Sequence, residues 1–128
     1  MRKLAFLLFL TLVVSVVACG GDTAPSGGGG DAVAGEKVFN ETSAPACNTC
    51  HSLESGKVLL GPSLAKIGAE AGSRVSGQSA EEYLRKSVTA PNDHVVDGFG
   101  ANIMPATYVS QLSEQQINDL VAYMLTLK

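Results

Sequence analysis

Cys47-Asn48-Thr49-Cys50-His51 decides how this chain is read. Two thiols separated by two residues, with an imidazole directly after the second, form the C-x-x-C-H pattern of c-type haem attachment. The spacing lets both thiols form thioether bonds to the vinyl groups of one porphyrin, and it sets His51 to bind the iron as proximal ligand. The pattern therefore predicts one covalent haem c. Other readings of the cysteines are weaker. A thiol–disulfide oxidoreductase using Cys47 and Cys50, with His51 as a neighbouring cation, belongs at a strand-to-helix junction, and strand patterns are weak throughout. A structural zinc site from Cys47, Cys50, His51 and His94 has no usual second knuckle.

Upstream of the motif the sequence changes character. Arg2 and Lys3 form a basic start, and Leu4 to Val17 is an apolar run of 14 residues. Small residues follow at Ala18, Cys19 and Gly20, the layout of a secretory signal. The run is shorter than the ~20 residues a helix needs to span a bilayer. Val16-Val17-Ala18-Cys19 is similar to a bacterial lipobox, in which cleavage precedes the cysteine and its thiol is lipidated. Cys19 is otherwise an odd thiol in an oxidising compartment. Gly20 to Gly30 is Gly-rich and has almost nothing apolar to bury, so it reads as a flexible tether with a reach of about 17–20 Å. The expected organisation is a signal peptide at 1–18, a lipidated Cys19 and tether at 19–30, and one domain at 31–128. That places the domain outside the cytoplasm, held to a bacterial membrane.

The domain has 98 residues and no Trp, so its core is thin for its length. A small domain of this kind gains much from a bound group at its centre, and a haem supplies a broad apolar surface to wrap. Asp31 predicts the N-cap of a first helix running to about Glu41. Ser79-Ala80-Glu81-Glu82 has capping-box form, with Tyr83, Leu84 and Val88 on the apolar face, and Pro91 ends that helix. Ser113-Glu114-Gln115-Gln116 is a second capping box, followed by Ile117, Leu120, Val121 and Met124 at helical spacing. The fold class is all-α, three or four helices joined by long loops.

The domain resembles a class I cytochrome c. The resemblance rests on Gly35-x-x-x-Phe39, the Cys47 to His51 motif, Gly61-Pro62-x-Leu64, Ile103-Met104-Pro105 and Leu120-x-x-Tyr123. It implies crossed terminal helices meeting at a small residue, with aromatics beside the contact. It implies that the Pro62 carbonyl accepts from Nδ1–H of His51, that Leu64 packs on the haem, and that Met104 is the second axial ligand. Tyr83-Leu84-Arg85, Ala90-Pro91-Asn92 and Met104-Pro105 are also similar to the cytochrome c domain of haem–copper oxidase subunit II. His94, in Pro91-Asn92-Asp93-His94, competes with Met104 as a ligand, although its neighbours favour a solvated turn. Arg74 has two readings, a partner for a haem propionate or a solvated surface residue.

Two axial ligands leave no open iron position, which favours electron transfer over catalysis. The alternative is a haem enzyme or gas sensor with an open or His-ligated sixth position. Charge narrows the partner. The chain carries −3, and losing Arg2 and Lys3 with the signal leaves −5. An acidic carrier is steered towards a basic docking patch, and no lysine cluster suits nucleic acid. Lys57 and Lys66 flank the Gly61-Pro62 turn and suggest at most a small local positive rim. The expected partners are membrane redox complexes, met by a free monomeric carrier or by a bound subunit. Asn40-Glu41-Thr42 matches a glycosylation sequon that a bacterial lipoprotein does not use.

Overall fold

A computed structural model describes residues 29–128. The expected signal segment, Cys19 and nearly all of the tether lie outside the described residues. Five α-helical segments and no strand are present among the described residues. Helix α1 covers Ala32–Lys37, where the Asp31 carboxylate accepts from the backbone amides of Val33 and Ala34. The expected continuation towards Glu41 is there, but as a wider π turn over Val38–Thr42. Helices α3 (Ala80–Thr89) and α5 (Glu114–Thr126) both start with complete capping boxes, at Ser79 and Ser113. Ala90 leaves helical geometry immediately before Pro91, because the proline ring disfavours the helical conformation of its predecessor. The other two helices, α2 (Ile67–Glu70) and α4 (Tyr108–Gln111), are single turns. They lift the count above the three or four expected, since four residues carry no readable periodicity.

Helix α1 crosses α5 at Gly35. A Cβ there would overlap the Asp119 carbonyl and lie 2.8 Å from Tyr123 Cβ, so only glycine lets the backbones approach this closely. Phe39 and Tyr123 pack beside the crossing with ring centroids 5.6 Å apart. The buried Asp119 adds a polar clasp: its Oδ1 accepts from the Asp31 amide at 2.8 Å and from Gln115 Nε2 at 2.8 Å. Helix α3 joins α5 through Arg85, which contacts Glu114 at 3.0 Å and the side-chain oxygen of Asn118. Helix α2 is tied to the end of the chain by a bond from the Gly68 amide to the Leu127 carbonyl, 2.7 Å.

Phe39, Leu84, Ile117, Leu120 and Val121 are the largest fully buried side chains. Each stabilises the fold by about 1.5–3 kcal/mol relative to exposure. The helices thus form a frame with α5 at its centre, and the long loops after α1 and after α3 close over one side.

Candidate functional site

Those two loops and the frame enclose a cleft of about 1200 Å³, measured out to its open mouth. Its lining runs from Phe39 to Met124 and draws on several helices and both loops, which suits a broad flat group better than a bare ion. Phe39, Leu120 and Met124 form its back, and Tyr83, Leu84 and Val88 of α3 form one wall. Cys47, Cys50, His51, Pro62, Leu64 and Met104 also face it. Residues separated in the sequence by more than fifty positions are therefore brought to one cavity.

His51 is the best defined of them. The motif forms a tight turn, with the amides of Cys50 and His51 both bonded to the Cys47 carbonyl at 3.1 and 2.9 Å. The chain then returns alongside itself. The Gly61 amide donates to the Cys50 carbonyl at 2.9 Å, and the Leu64 amide to the Ser52 carbonyl at 2.8 Å. Between these two bonds, His51 Nδ1 lies 2.9 Å from the Pro62 carbonyl. A carbonyl only accepts, so Nδ1 carries the proton and Nε2 keeps its lone pair. Burial lowers the His51 pKa, against a smaller opposite effect of the Pro62 bond, which favours the neutral ring. Gly61 backs the imidazole, and a Cβ at that position would lie 2.5 Å from Cε1. From the sequence Gly61 reads only as a turn residue, because Gly-Pro gives no separate signal for this role.

The thiols of Cys47 and Cys50 are unpaired and half-buried. Burial pushes the Cys47 thiol up, outweighing the Ser43 hydroxyl near its sulfur. An activated thiol–disulfide nucleophile needs the opposite shift and a positive neighbour. No group of three potential metal-binding side chains converges among the described residues, so the zinc reading, which needed His94 beside the motif, has no geometric basis.

The cytochrome c family model matches residues 32–128. The chain belongs to the cytochrome c family. A comparison with curated proteins found no match. As a class I monohaem cytochrome c, it carries covalently bound haem c, and Cys47 and Cys50 have the spacing for that attachment. The residues present fit the group. Two free thiols, an imidazole oriented by the Pro62 carbonyl and a thioether share one apolar cavity, and the glycine behind the ring leaves room for it.

The remaining candidates separate cleanly. Met104 is half-buried on the cavity, in the loop ahead of α4. Met124 also reaches the cavity but is only 5% exposed, locked in the core on α5. His94 is exposed at the rim, its ring edge against Tyr83 with centroids 5.8 Å apart. Arg74 reaches the rim too, with its guanidinium paired to Glu70 at 2.5 Å. Lys57 is paired with Glu54 at 2.6 Å, which cancels most of its share in the expected positive rim.

Proposed function

We propose that this cytochrome is a one-electron carrier, and not an enzyme, with His51 and Met104 as the axial ligands of its haem. The observation that carries the reading is the His51–Pro62 bond, which fixes an imidazole with a free Nε2 in the same cavity as the Met104 thioether. Bound haem c supplies an iron that alternates between Fe(III) and Fe(II), with thioether ligation favouring Fe(II). The protein's own part is to keep that centre rigid and dry. Cys47 and Cys50 would hold the porphyrin edge, while the Pro62 carbonyl orients the imidazole and Gly61 leaves room for its ring. Leu64, Leu84, Val88 and Leu120 line the cavity and would exclude water from the bound group.

One side stays open to a partner. Leu60 and Ile103, 65% and 56% exposed, lie on the cavity lip, and Val58 and Leu59 continue the apolar surface beside them. We assign this lip to contact with larger redox complexes. The acidic mature chain is steered towards basic docking surfaces. No helix among the described residues is long and apolar enough to cross a membrane, and cytochrome c domains are typically exported. Attachment through a lipidated Cys19, with the tether at 20–30, would hold the carrier at the outer face of a bacterial membrane.

Absorption spectra of the oxidised and reduced protein, made in a host that attaches haem c, test the reading. A low-spin c-type spectrum with the weak far-red sulfur-to-iron band supports it. A high-spin spectrum, or a low-spin one without that band, overturns the His51–Met104 assignment and favours an open or His94-ligated site.

A further inference from the structure

Seven residues after Met104, Gln111 reaches across to the chain just ahead of Cys47. Its Oε1 accepts from the Ala44 amide at 3.1 Å, and its Nε2 donates to the Ala44 carbonyl at 3.3 Å. One side-chain amide thereby satisfies both backbone groups of a single residue, the two-point pairing of a neighbouring strand. Thr107 Oγ1 accepts from the same Nε2 at 3.0 Å, which fixes the amide's orientation on α4. Beside it the Tyr108 hydroxyl donates to the Pro45 carbonyl at 2.9 Å. Tyr108 is buried and faces the cavity, whereas Gln111 is exposed and does not.

The loop that carries Met104 is also tied on its other side. Asn92 Oδ1 accepts from the Asn102 amide at 2.7 Å, and Asn102 sits at φ 62°. Met104 therefore lies on a short span between two fixed points. One is the turn at Asn102, and the other is the clasp of Gln111 on the chain leading into Cys47. Thioether ligation is the weaker of the two proposed axial contacts, and local opening is easiest where a loop is held by few contacts.

We propose that Gln111 is a positioning residue for Met104: its clasp on Ala44 ties the distal-ligand loop to the attachment loop and suppresses opening of the sixth iron position. The inference rests on the Met104 ligation proposed above. When the loop opens, α4 moves away from Ala44 and both amide bonds break together. Removing them raises the population of the open form without touching the haem surround, because Gln111 does not line the cavity.

The test is imidazole binding to the ferric holoprotein, read together with the far-red band. Imidazole reaches the iron only when Met104 has left, so its apparent affinity reports the open fraction. Gln111→Ala should raise that affinity about three- to tenfold, the effect expected for one or two exposed hydrogen bonds. Gln111→Glu keeps an acceptor for the Ala44 amide but has no donor for its carbonyl, and it should raise the affinity as well. Ser110→Ala loses only a hydroxyl bond to the carbonyl of Thr107, the N-cap of α4, and should leave the affinity unchanged. A far-red band in the unaltered protein, with equal imidazole affinity in Gln111→Ala, overturns the clasp alone. An equal rise in Ser110→Ala also overturns it, because the effect would then be loosening of α4. Absence of the band from the unaltered protein overturns Met104 ligation, and the clasp with it.

Discussion

Gly35 of α1 lies so close to the Asp119 carbonyl of α5 that a methyl group at Gly35 would overlap the oxygen. Both contacting groups are backbone or Cβ, so neither can swing aside as a flexible side chain would.

Gly35→Ala therefore sets two effects against each other. Alanine is the better helix former by about 1 kcal/mol. Forcing α1 away from α5 costs about 1–3 kcal/mol in overpacking and also opens the Phe39–Tyr123 contact. The steric term should win, and the variant should unfold earlier in guanidinium than the unaltered holoprotein. An equal or higher midpoint would mean that the helices cross elsewhere.

The α3 capping box gives a pH dependence. The Ser79 amide donates to Glu82 Oε2 at 2.8 Å, and Ser79 Oγ accepts from the Glu82 amide at 3.2 Å. Donation to the carboxylate from the Ser79 backbone first, and from the Ser79 side chain second, holds the Glu82 carboxyl below its ordinary value of 4.5. A carboxyl depressed in the folded state contributes stability above its unfolded pKa and loses it as pH falls through the folded value. The contribution is thus complete at neutral pH and fades on the acid side. Glu82→Gln keeps an acceptor for Ser79 but no titrating group. Unfolding midpoints taken from neutral pH down to about pH 3 should fall less steeply for the variant. Parallel curves would place the acid sensitivity elsewhere.

Met104 and His94 both lie on the cavity, but one is half-buried and the other exposed. Met104→Ala should remove the far-red band and let carbon monoxide bind the ferrous protein. His94→Ala should change neither property. Carbon monoxide binding that appears only in the His94 variant would exchange the two roles.

Cys19→Ser addresses attachment. If Cys19 is lipidated, the variant should move from the membrane to the soluble fraction after gentle lysis, with the haem spectrum intact. Retention on the membrane would point to an uncleaved apolar segment at Leu4 to Val17.

Features that depend on a few adjacent residues could be read directly. The attachment motif, the caps at Asp31, Ser79 and Ser113, and the stop at Pro91 are all set by bonds or clashes spanning three or four positions. Such interactions exist wherever the sequence occurs, largely independent of context. Even the helix crossing left a trace, because Gly35, Phe39 and Tyr123 lie at helical spacing along their own elements.

Other features needed the folded chain. Asp119 looks like an ordinary polar position in an amphipathic helix, yet it is buried and holds the Asp31 amide. Gly61 reads as a turn until His51 is found against it. The single-turn helices α2 and α4 are too short to nucleate alone and form only where neighbours hold them. The clasp between Gln111 and Ala44 joins residues 67 positions apart. Local sequence determined which chemical groups this protein carries and where its longer helices start. Tertiary packing decided which of those groups meet, because contacts across such separations are selected only when the whole chain closes around its core.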